Sequence, residues 1–444
     1  MQDFHRSRFP MLKRTASFLI LSMALSRAGA EPLPADAPLT LDALLASAAV
    51  ANPSLRAARA GADATEGAFL QAGMRPNPDV SFLQEGFGPS ERTSTGLVSQ
   101  RIELGGKRGA RLDVASYGRE AALARLDARN AALRAQVIDA FYGLLAAQRQ
   151  LQVATESADI ARRTLDSADK RVRAGKISPV EAGKARVAEA GAQIELQRAR
   201  AQAAVQADQL ATITGESAVR ERAVAGDIET LPTPEPLTEM VARTDSAPLV
   251  RTARAQMLRS DAAIQVERAR RLPDITVSAG MKHMVTGGVP FNQAVIGVSI
   301  PLPLFDTNKG ALLEAAHNAE QAEAEFDNEK ATLRLQLSSA YTNFQNAAAE
   351  AQRLKSEVLP AARDTLVAMS RGFDLGKFAF LDVLDAQRTL YQEQSRYVQA
   401  LTTAHLAYAE LGRLEGTPLP SSPDWSTSSA SSASSGASPV AVLP

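Results

Sequence analysis

Apolar residues recur at alternating steps of three and four along one uninterrupted stretch, Gly105 to Arg173. The seam runs Leu123, Leu126, Asn130, Leu133, Val137, Ala140, Leu144, Ala147, Leu151, Ala154, Ala158, Ala161, Leu165, Ala168 and Val172, and only Asn130 is polar. Such spacing is a heptad repeat, which needs partner helices to bury it. At 1.5 Å per residue the helix is roughly 100 Å long, a strut rather than the wall of an ordinary domain. Alanines at many seam positions let neighbouring helices approach closely, as in a packed cylinder.

A second strut is predicted over Asp306 to Phe373, with a seam at Leu333, Leu337, Ala340, Phe344, Ala347, Ala351, Leu354, Val358 and Ala361. Pro360 lies inside it and predicts a kink or local loosening. Half-length helices are predicted over 40–74, with Pro53 near the start, and over 180–213. Between half helix and strut the period changes to two. Pro76-Asn77-Pro78-Asp79 stops the first half helix, Val80 to Phe87 reads as a strand, Gly88-Pro89-Ser90 as a turn, and Thr93 to Leu104 as the return. The second hairpin alternates more clearly: Ile275, Val277, Ala279 and Met281 share one face, and Ala294, Ile296, Val298 and Ile300 share one face of the return. Strands of about ten residues suffice to cross a bilayer when tilted. A half-exposed hairpin in a soluble domain shows the same alternation, so both readings stand on periodicity alone.

The order repeats. Asn52-Pro53-Ser54-Leu55-Arg56 matches Ala247-Pro248-Leu249-Val250-Arg251, Pro78-Asp79 matches Pro273-Asp274, Gly109-Ala110 matches Gly310-Ala311, Gly175-Lys176 matches Gly376-Lys377, and Gly215 matches Gly416. This is a tandem duplication with a period of about two hundred residues, far above those of solenoids. The organisation read from it is a signal peptide over 1–30, a first repeat over 31–230, a second over 231–416, and a flexible Ser/Ala-rich tail over 417–444. A proline-rich link, Leu231 to Pro236, joins the repeats.

Arg6, Arg8, Lys13 and Arg14 precede the apolar run Ala16 to Leu25 and the small-residue site Ala28-Gly29-Ala30, the signature of a secretory signal. Met1 and Met11 both stand as start codons for this chain. Cleavage after Ala30 changes the formal charge from zero to −4. There is no cysteine, which excludes disulfides and a lipoprotein acyl anchor. No later stretch supplies the eighteen or more apolar residues of a transmembrane helix, so a membrane crossing must use strands. No basic patch with interleaved aromatics marks a nucleic-acid surface, and nucleic acid is not an expected partner.

Four strands per chain cannot close a barrel, and lipid does not tolerate open sheet edges, so several copies must contribute. Half helix, hairpin, strut, tight reversal and half helix, given twice behind a signal, resemble the TolC-like outer-membrane efflux proteins over nearly the whole mature chain. The segments Ile300-Pro301-Leu302-Pro303-Leu304-Phe305-Asp306, Asn308-Lys309-Gly310 and Leu381-Asp382-Val383-Leu384-Asp385-Ala386-Gln387 carry that resemblance. Gln100-Arg101-Ile102-Glu103-Leu104-Gly105-Gly106-Lys107-Arg108 is similar to the CzcC-like heavy-metal branch.

The resemblance implies a mainly α fold with a small transmembrane β part: a homotrimer with a 12-stranded β-barrel in outer-membrane lipid and a long periplasmic α-helical coiled-coil barrel. It implies a channel subunit of a Gram-negative tripartite system, joined by a periplasmic adaptor (membrane fusion) protein to an inner-membrane pump of the resistance-nodulation-division type and exporting divalent heavy-metal cations. Two alternatives remain, a duct for organic compounds or a secreted polypeptide, and a periplasmic coiled-coil scaffold that never crosses the membrane.

Asp382 and Asp385 share a helix face just after the second reversal, and three copies would set six carboxylates around an axis. Acidic residues in a first helical turn also simply complement the helix dipole. The resemblance implies that these two form the constriction at the tunnel entrance. Phe373 and Phe378 stand where better-known relatives carry a Tyr and an Arg that lock the closed entrance, so packing is expected to hold it here. The tips Gly175, Lys176, Ile177 and Ser178, with Gly376, Lys377 and Phe378, are implied to meet the adaptor.

Other signals fail. Gly105-Gly106-Lys107-Arg108 is no P-loop, because position 101 is Arg and no Ser or Thr follows Lys107. His283, His317 and His405 lack metal-ligand spacing, and Met281-Lys282-His283-Met284 reads as a strand end beside a loop. No nucleophile, base and orienting group come together, so neither catalysis nor a cofactor is expected.

Overall fold

The computed structural model describes residues 39–222 and 224–420. The signal segment, Met11 and most of the Ser/Ala-rich tail lie outside the described residues. The first half of the chain forms a two-residue strand β1 (Leu39–Thr40), helices α1 (Leu41–Ala51) and α2 (Pro53–Ala72), strands β2 (Asp79–Glu85) and β3 (Glu91–Ile102), and helices α3 (Lys107–Arg173) and α4 (Pro179–Thr214). The second forms β4 (Val224–Ala225), α5 (Leu237–Ala242), α6 (Pro248–Arg270), β5 (Ile275–Thr286), β6 (Val289–Ser299), α7 (Lys309–Arg353), α8 (Leu359–Asp374) and α9 (Phe380–Glu415).

The strut α3 is unbroken over 67 residues. Its seam is buried at Leu133, Val137, Ala140, Leu144, Ala147, Ala154, Ala158, Ala161 and Ala168, whereas Leu123 is exposed and Ala121 and Ala124 are buried in its place. The first half helix is two helices rather than one. Asn52 leaves the helical region, and its Oδ1 accepts from the amides of Ser54 and Leu55 at 3.0 and 3.4 Å, starting α2 afresh with Pro53 in its first turn. Proline is at home there because its missing amide would have no intrahelical partner.

The second strut departs from its expected seam. Leu333, Leu337, Ala340, Phe344, Ala347, Ala351 and Leu354 are buried in steps of three and four, but the next buried residue is Leu359, five on, followed by Leu366 and Phe373. Ala361 is exposed and Val358 only half-buried. The cause is a π-helical turn over Leu354–Val358, where the Leu359 amide donates to the Leu354 carbonyl five residues back. Pro360 cannot donate to a carbonyl four residues back, and one widened turn absorbs the extra residue.

The duplication is built in the backbone. Gly175 and Gly376 close their hairpins at φ of 68° and 74°, and Gly215 and Gly416 end α4 and α9 at 71° and 83°. A Cβ on Gly416 would also lie 2.3 Å from the Pro248 ring, so only glycine fits there. Four antiparallel strands form one sheet in the order β2-β3-β5-β6, leaving β2 and β6 as open edges. The core runs along the rod. Its largest cluster packs Leu44, Leu55, Leu133, Phe141, Leu210 and Leu401 at mid-shaft, where Val219 and Ile228 of the segment between repeats also bury. At the chain's described end, Leu419 is buried against the same core rather than belonging to a loose tail.

His405 lies in that mid-shaft, 1% exposed, stacked on Tyr142 at 3.7 Å, with Nε2 3.0 Å from the Ile228 carbonyl oxygen. That contact requires Nε2 to carry the proton and donate. Burial lowers its pKa, so the folded state favours neutral imidazole. The unfolded chain binds the proton more readily, and stability therefore falls as pH drops below about 6.5. We expect His405→Gln to flatten that acid limb in a thermal-melt series from pH 8 to pH 5; an unchanged limb would place its cause elsewhere.

Candidate functional site

Two regions hold the residues that the sequence singles out: the sheet and the opposite end of the rod. Across the sheet, pairing aligns Val80, Val98, Ala279 and Ile296 in one row and Phe82, Gly96, Met281 and Ala294 in the next, all on one face. Val80, Phe82 and Ile296 are more than 70% exposed. The other face sets Asp79, Ser99, Ser278 and Gly297 in one row and Leu83, Thr95, Lys282 and Gln293 in another. From Ile275 to Met281 the apolar face extends roughly 20 Å along a strand. Beyond it a polar row follows, Gln84, Ser94, His283 and Asn292, tied by Ser94 Oγ donating to Gln84 Oε1 at 2.5 Å and by His283 Nδ1 2.7 Å from Asn292 Oδ1. The second face is mixed, with Leu83, Leu97 and Val295 among its small and polar residues, while the first carries a continuous apolar band ending in a polar rim, the pattern of a lipid-facing side. Met281 and His283 share one face while Lys282 and Met284 point to the other, so the four do not converge on a metal.

Where strand passes into strut, the Arg111 guanidinium donates to both Glu103 carboxylate oxygens at 2.5 and 3.0 Å, holding the Glu103 pKa below its usual value. Lys107 pairs with Asp274 at 2.5 Å. The junction motif thus locks β3 and α3 to the second hairpin.

At the far end, about 100 Å along α3 from the sheet, the two reversals lie side by side. Gly175 and Gly376 adopt the left-handed region, and the amides of Lys176 and Lys377 donate back to the carbonyls of Arg171 and Gly372 at 2.9 and 2.8 Å. Each reversal is thus a closed cap in which the glycine geometry is required. Lys176, Ser178, Gly376 and Lys377 are exposed, and Ile177 is half-buried. Ser178 Oγ accepts from the Val180 amide at 3.3 Å, capping α4.

Phe373 is buried, its ring 5.4 Å from that of Phe380, while Phe378 is 44% exposed and lies across Gly372 so closely that a Cβ there would clash with its ring. Sequence reasoning missed Arg171. Its guanidinium sits 4.1 Å over the Phe373 ring and donates to the Phe373 carbonyl at 2.8 Å and to the Asp374 carbonyl and carboxylate at 3.1 Å. Its signal was a cation in the last turn of the strut, beside a helix C-terminus. Two further links join α3 to α9: Gln387 donates to Thr164 Oγ1 at 2.6 Å, and Gln150 to Tyr391 Oη and Ser395 Oγ at 3.2 and 2.9 Å.

Asp382 and Asp385 lie on the exposed face of the first turns of α9. Asp382 Oδ2 accepts from the Ala379 amide at 3.0 Å, so it caps the helix, whereas Asp385 is 3.7 Å from Arg388. Asp382→Ala is expected to cost about 0.5–2 kcal/mol through the lost cap, and Asp385→Ala close to nothing; melting temperatures distinguish the two. Among the described residues no three His, Asp or Glu side chains gather as metal ligands, and no helix is long and apolar enough to cross a membrane.

Comparison with known proteins agrees with this geometry. The family described as "Outer membrane efflux protein" matches residues 44–216 and 244–417. The cobalt-zinc-cadmium resistance protein CzcC of Cupriavidus metallidurans is 42% identical over 87% of this chain and 92% of its own. The nickel and cobalt resistance protein CnrC of the same organism is 31% identical over 69% and 72%. The solved outer-membrane channel OprN superposes with a TM-score of 0.73 at 19% identity, covering 85% of this chain and 89% of that one.

Proposed function

Since this chain belongs to the outer membrane efflux protein family, we propose that it is the outer-membrane duct through which divalent heavy-metal cations of the cobalt, zinc and cadmium type leave the cell. The fold is TolC-like, and family and fold are those of channels rather than enzymes. The cargo reading rests on one observation, 42% identity along nearly the full length of a cobalt-zinc-cadmium resistance protein. Three copies join the open edges of β2 and β6 into a twelve-stranded barrel, apolar face to lipid and mixed face to the lumen. A resistance-nodulation-division pump in the inner membrane supplies the driving force through a periplasmic adaptor. The duct conducts passively.

The adaptor meets the far tips at Lys176, Ile177, Ser178 and Lys377, with Gly175 and Gly376 shaping the caps. Phe373 and Phe378 hold the closed entrance by packing, reinforced by Arg171. Asp382 and Asp385 gather around the threefold axis as an entrance ring that draws in cations. The ring is checked by single-channel recording: replacing both by Ala should weaken block by divalent cations added from the periplasmic side, and unchanged block removes the assignment.

Deleting the gene in its host and comparing growth on zinc, cobalt and cadmium salts with growth on drugs and detergents tests the cargo. Hypersensitivity to the metals alone is expected. Sensitivity to organic compounds alone would leave the duct standing and overturn its cargo.

A further inference from the structure

We propose that neighbouring copies of this chain meet as its two repeats meet inside it, with Arg56 of one copy paired to Asp327 of the next and Asp79 paired to Lys309. This pairing rests on the trimeric duct proposed for the chain and adds the surfaces and the register by which copies recognise one another.

Within the chain, α6 of the second repeat packs along α3 of the first, and β5 pairs with β3 above them. Arg251 stands 2.9 Å from Asp127 on that helix contact. At its sheet end, Asp274 Oδ1 accepts from the Leu104 amide at 3.3 Å and from Lys107 Nζ at 2.5 Å. Ala255, Ala262 and Ala269 of α6 are buried.

The duplication copies these groups to places where the chain offers them nothing. Arg56 is the counterpart of Arg251, and Asp79 of Asp274, in the matched segments. In the struts, buried Leu133, Val137 and Ala140 correspond to buried Leu333, Leu337 and Ala340, and the same step takes Asp127 to Asp327. Lys107 and Lys309 each open their strut behind a residue in the left-handed region, Gly106 and Asn308. Arg56, Asp79, Lys309 and Asp327 are all exposed, and among the described residues none of the four side chains has a hydrogen-bond or ion-pair partner. Ala60, Gly67 and Met74, which match the three buried alanines of α6, are exposed as well.

The partner that fits is a second copy, because it presents the missing halves in the right order. Toward the sheet, the first repeat's flank carries Arg56 and then Asp79; the second repeat's flank carries Asp327 and then Lys309, which lie roughly 27 Å apart along α7. Opposite charges therefore meet at both levels in a single register, and a slipped register loses both pairs. The open edges β2 and β6 belong to the same two flanks, so strand pairing and helix pairing continue one another. A flank of the first repeat meeting a different flank of the second is a head-to-tail contact, the kind that closes into a ring.

The test uses the full-length protein in detergent, and its mass by light scattering reports the trimer without reference to register. The chain has no cysteine, so Arg56→Cys with Asp327→Cys supplies its only thiols. A short bismaleimide should join these into covalent dimers and trimers on denaturing gels, while either cysteine alone gives none. Arg251→Cys with Asp127→Cys is the control for reach, and should cross-link within single chains. Arg56→Asp or Asp327→Arg should each lower the temperature at which the trimer dissociates on unboiled gels, and the two together should restore it. Asp79→Lys with Lys309→Asp should behave in the same way. A trimeric mass without cross-links between copies, or a reversal that its partner does not rescue, overturns the pairing and leaves the duct standing. A monomeric mass overturns both, and a cross-linked product that is not a multiple of the chain's own mass gives these flanks to another partner and overturns the pairing.

Discussion

Ile296→Arg is expected to abolish the assembled trimer, while Gln293→Arg, three residues away on the same strand, leaves it intact. Ile296 is 80% exposed in the middle of the apolar face, in register with Ala279, Val98 and Val80. Gln293 pairs with Lys282 on the other face. Arginine at the bilayer midplane of a barrel costs about 2–4 kcal/mol, once in each of three protomers, whereas a lumen position stays hydrated. Urea unfolding in detergent micelles, with the trimer band on unboiled gels as a second readout, measures the difference. Equal tolerance of both substitutions would mean that the hairpins do not face lipid, and the periplasmic scaffold would regain its place.

Arg171→Ala should loosen the far end. The guanidinium is 20% exposed on its side chain, but its Asp374 partner is 67% exposed, so the ion pair itself contributes little. The hydrogen bond to the Phe373 carbonyl and the stacking on the Phe373 ring contribute more, together about 2 kcal/mol. A loss of that size shifts a closed-to-open equilibrium about thirtyfold toward open. In planar bilayers the variant should show larger and longer openings than the parent, and cells carrying it should admit antibiotics too large for porins. Arg171→Lys should lie between, because an ammonium cannot donate in a planar fork to two carbonyls. Unchanged conductance would mean that the Arg171 contact does not bear on opening.

What the sequence displays is set by local rules. The α3 seam, the alternation of β5 and β6 and the glycine reversals follow from periodicity and backbone geometry, each confined to neighbouring residues. Where expectation and structure part, the cause is a choice that local rules leave open. Pro53 is compatible with a kink inside one helix or with the start of another, and Asn52 as a cap decides between them. Pro360 announces a disturbance, but whether a helix bends or widens depends on which apolar residues its partners accept, and Leu359 rather than Val358 is taken. Arg171 could not be paired from sequence because its partners Phe373 and Asp374 are some two hundred positions away. Asp382 illustrates a different difficulty. Its capping bond to Ala379 is complete within one protomer, and an entrance ring would require a second use of the same carboxylate.

The π-turn has a mechanical meaning that its geometry alone does not state. Each protomer stands on two posts. One, α3, is a single stiff rod from membrane to tip; the other is jointed at Leu354–Val358, where one turn carries wider, weaker hydrogen bonds than the helix on either side. Bending concentrates where a beam is weakest, so a load at the far end is expected to bend the second strut at Leu354–Val358 before it bends α3. A ring of three such protomers sets three continuous posts beside three jointed ones.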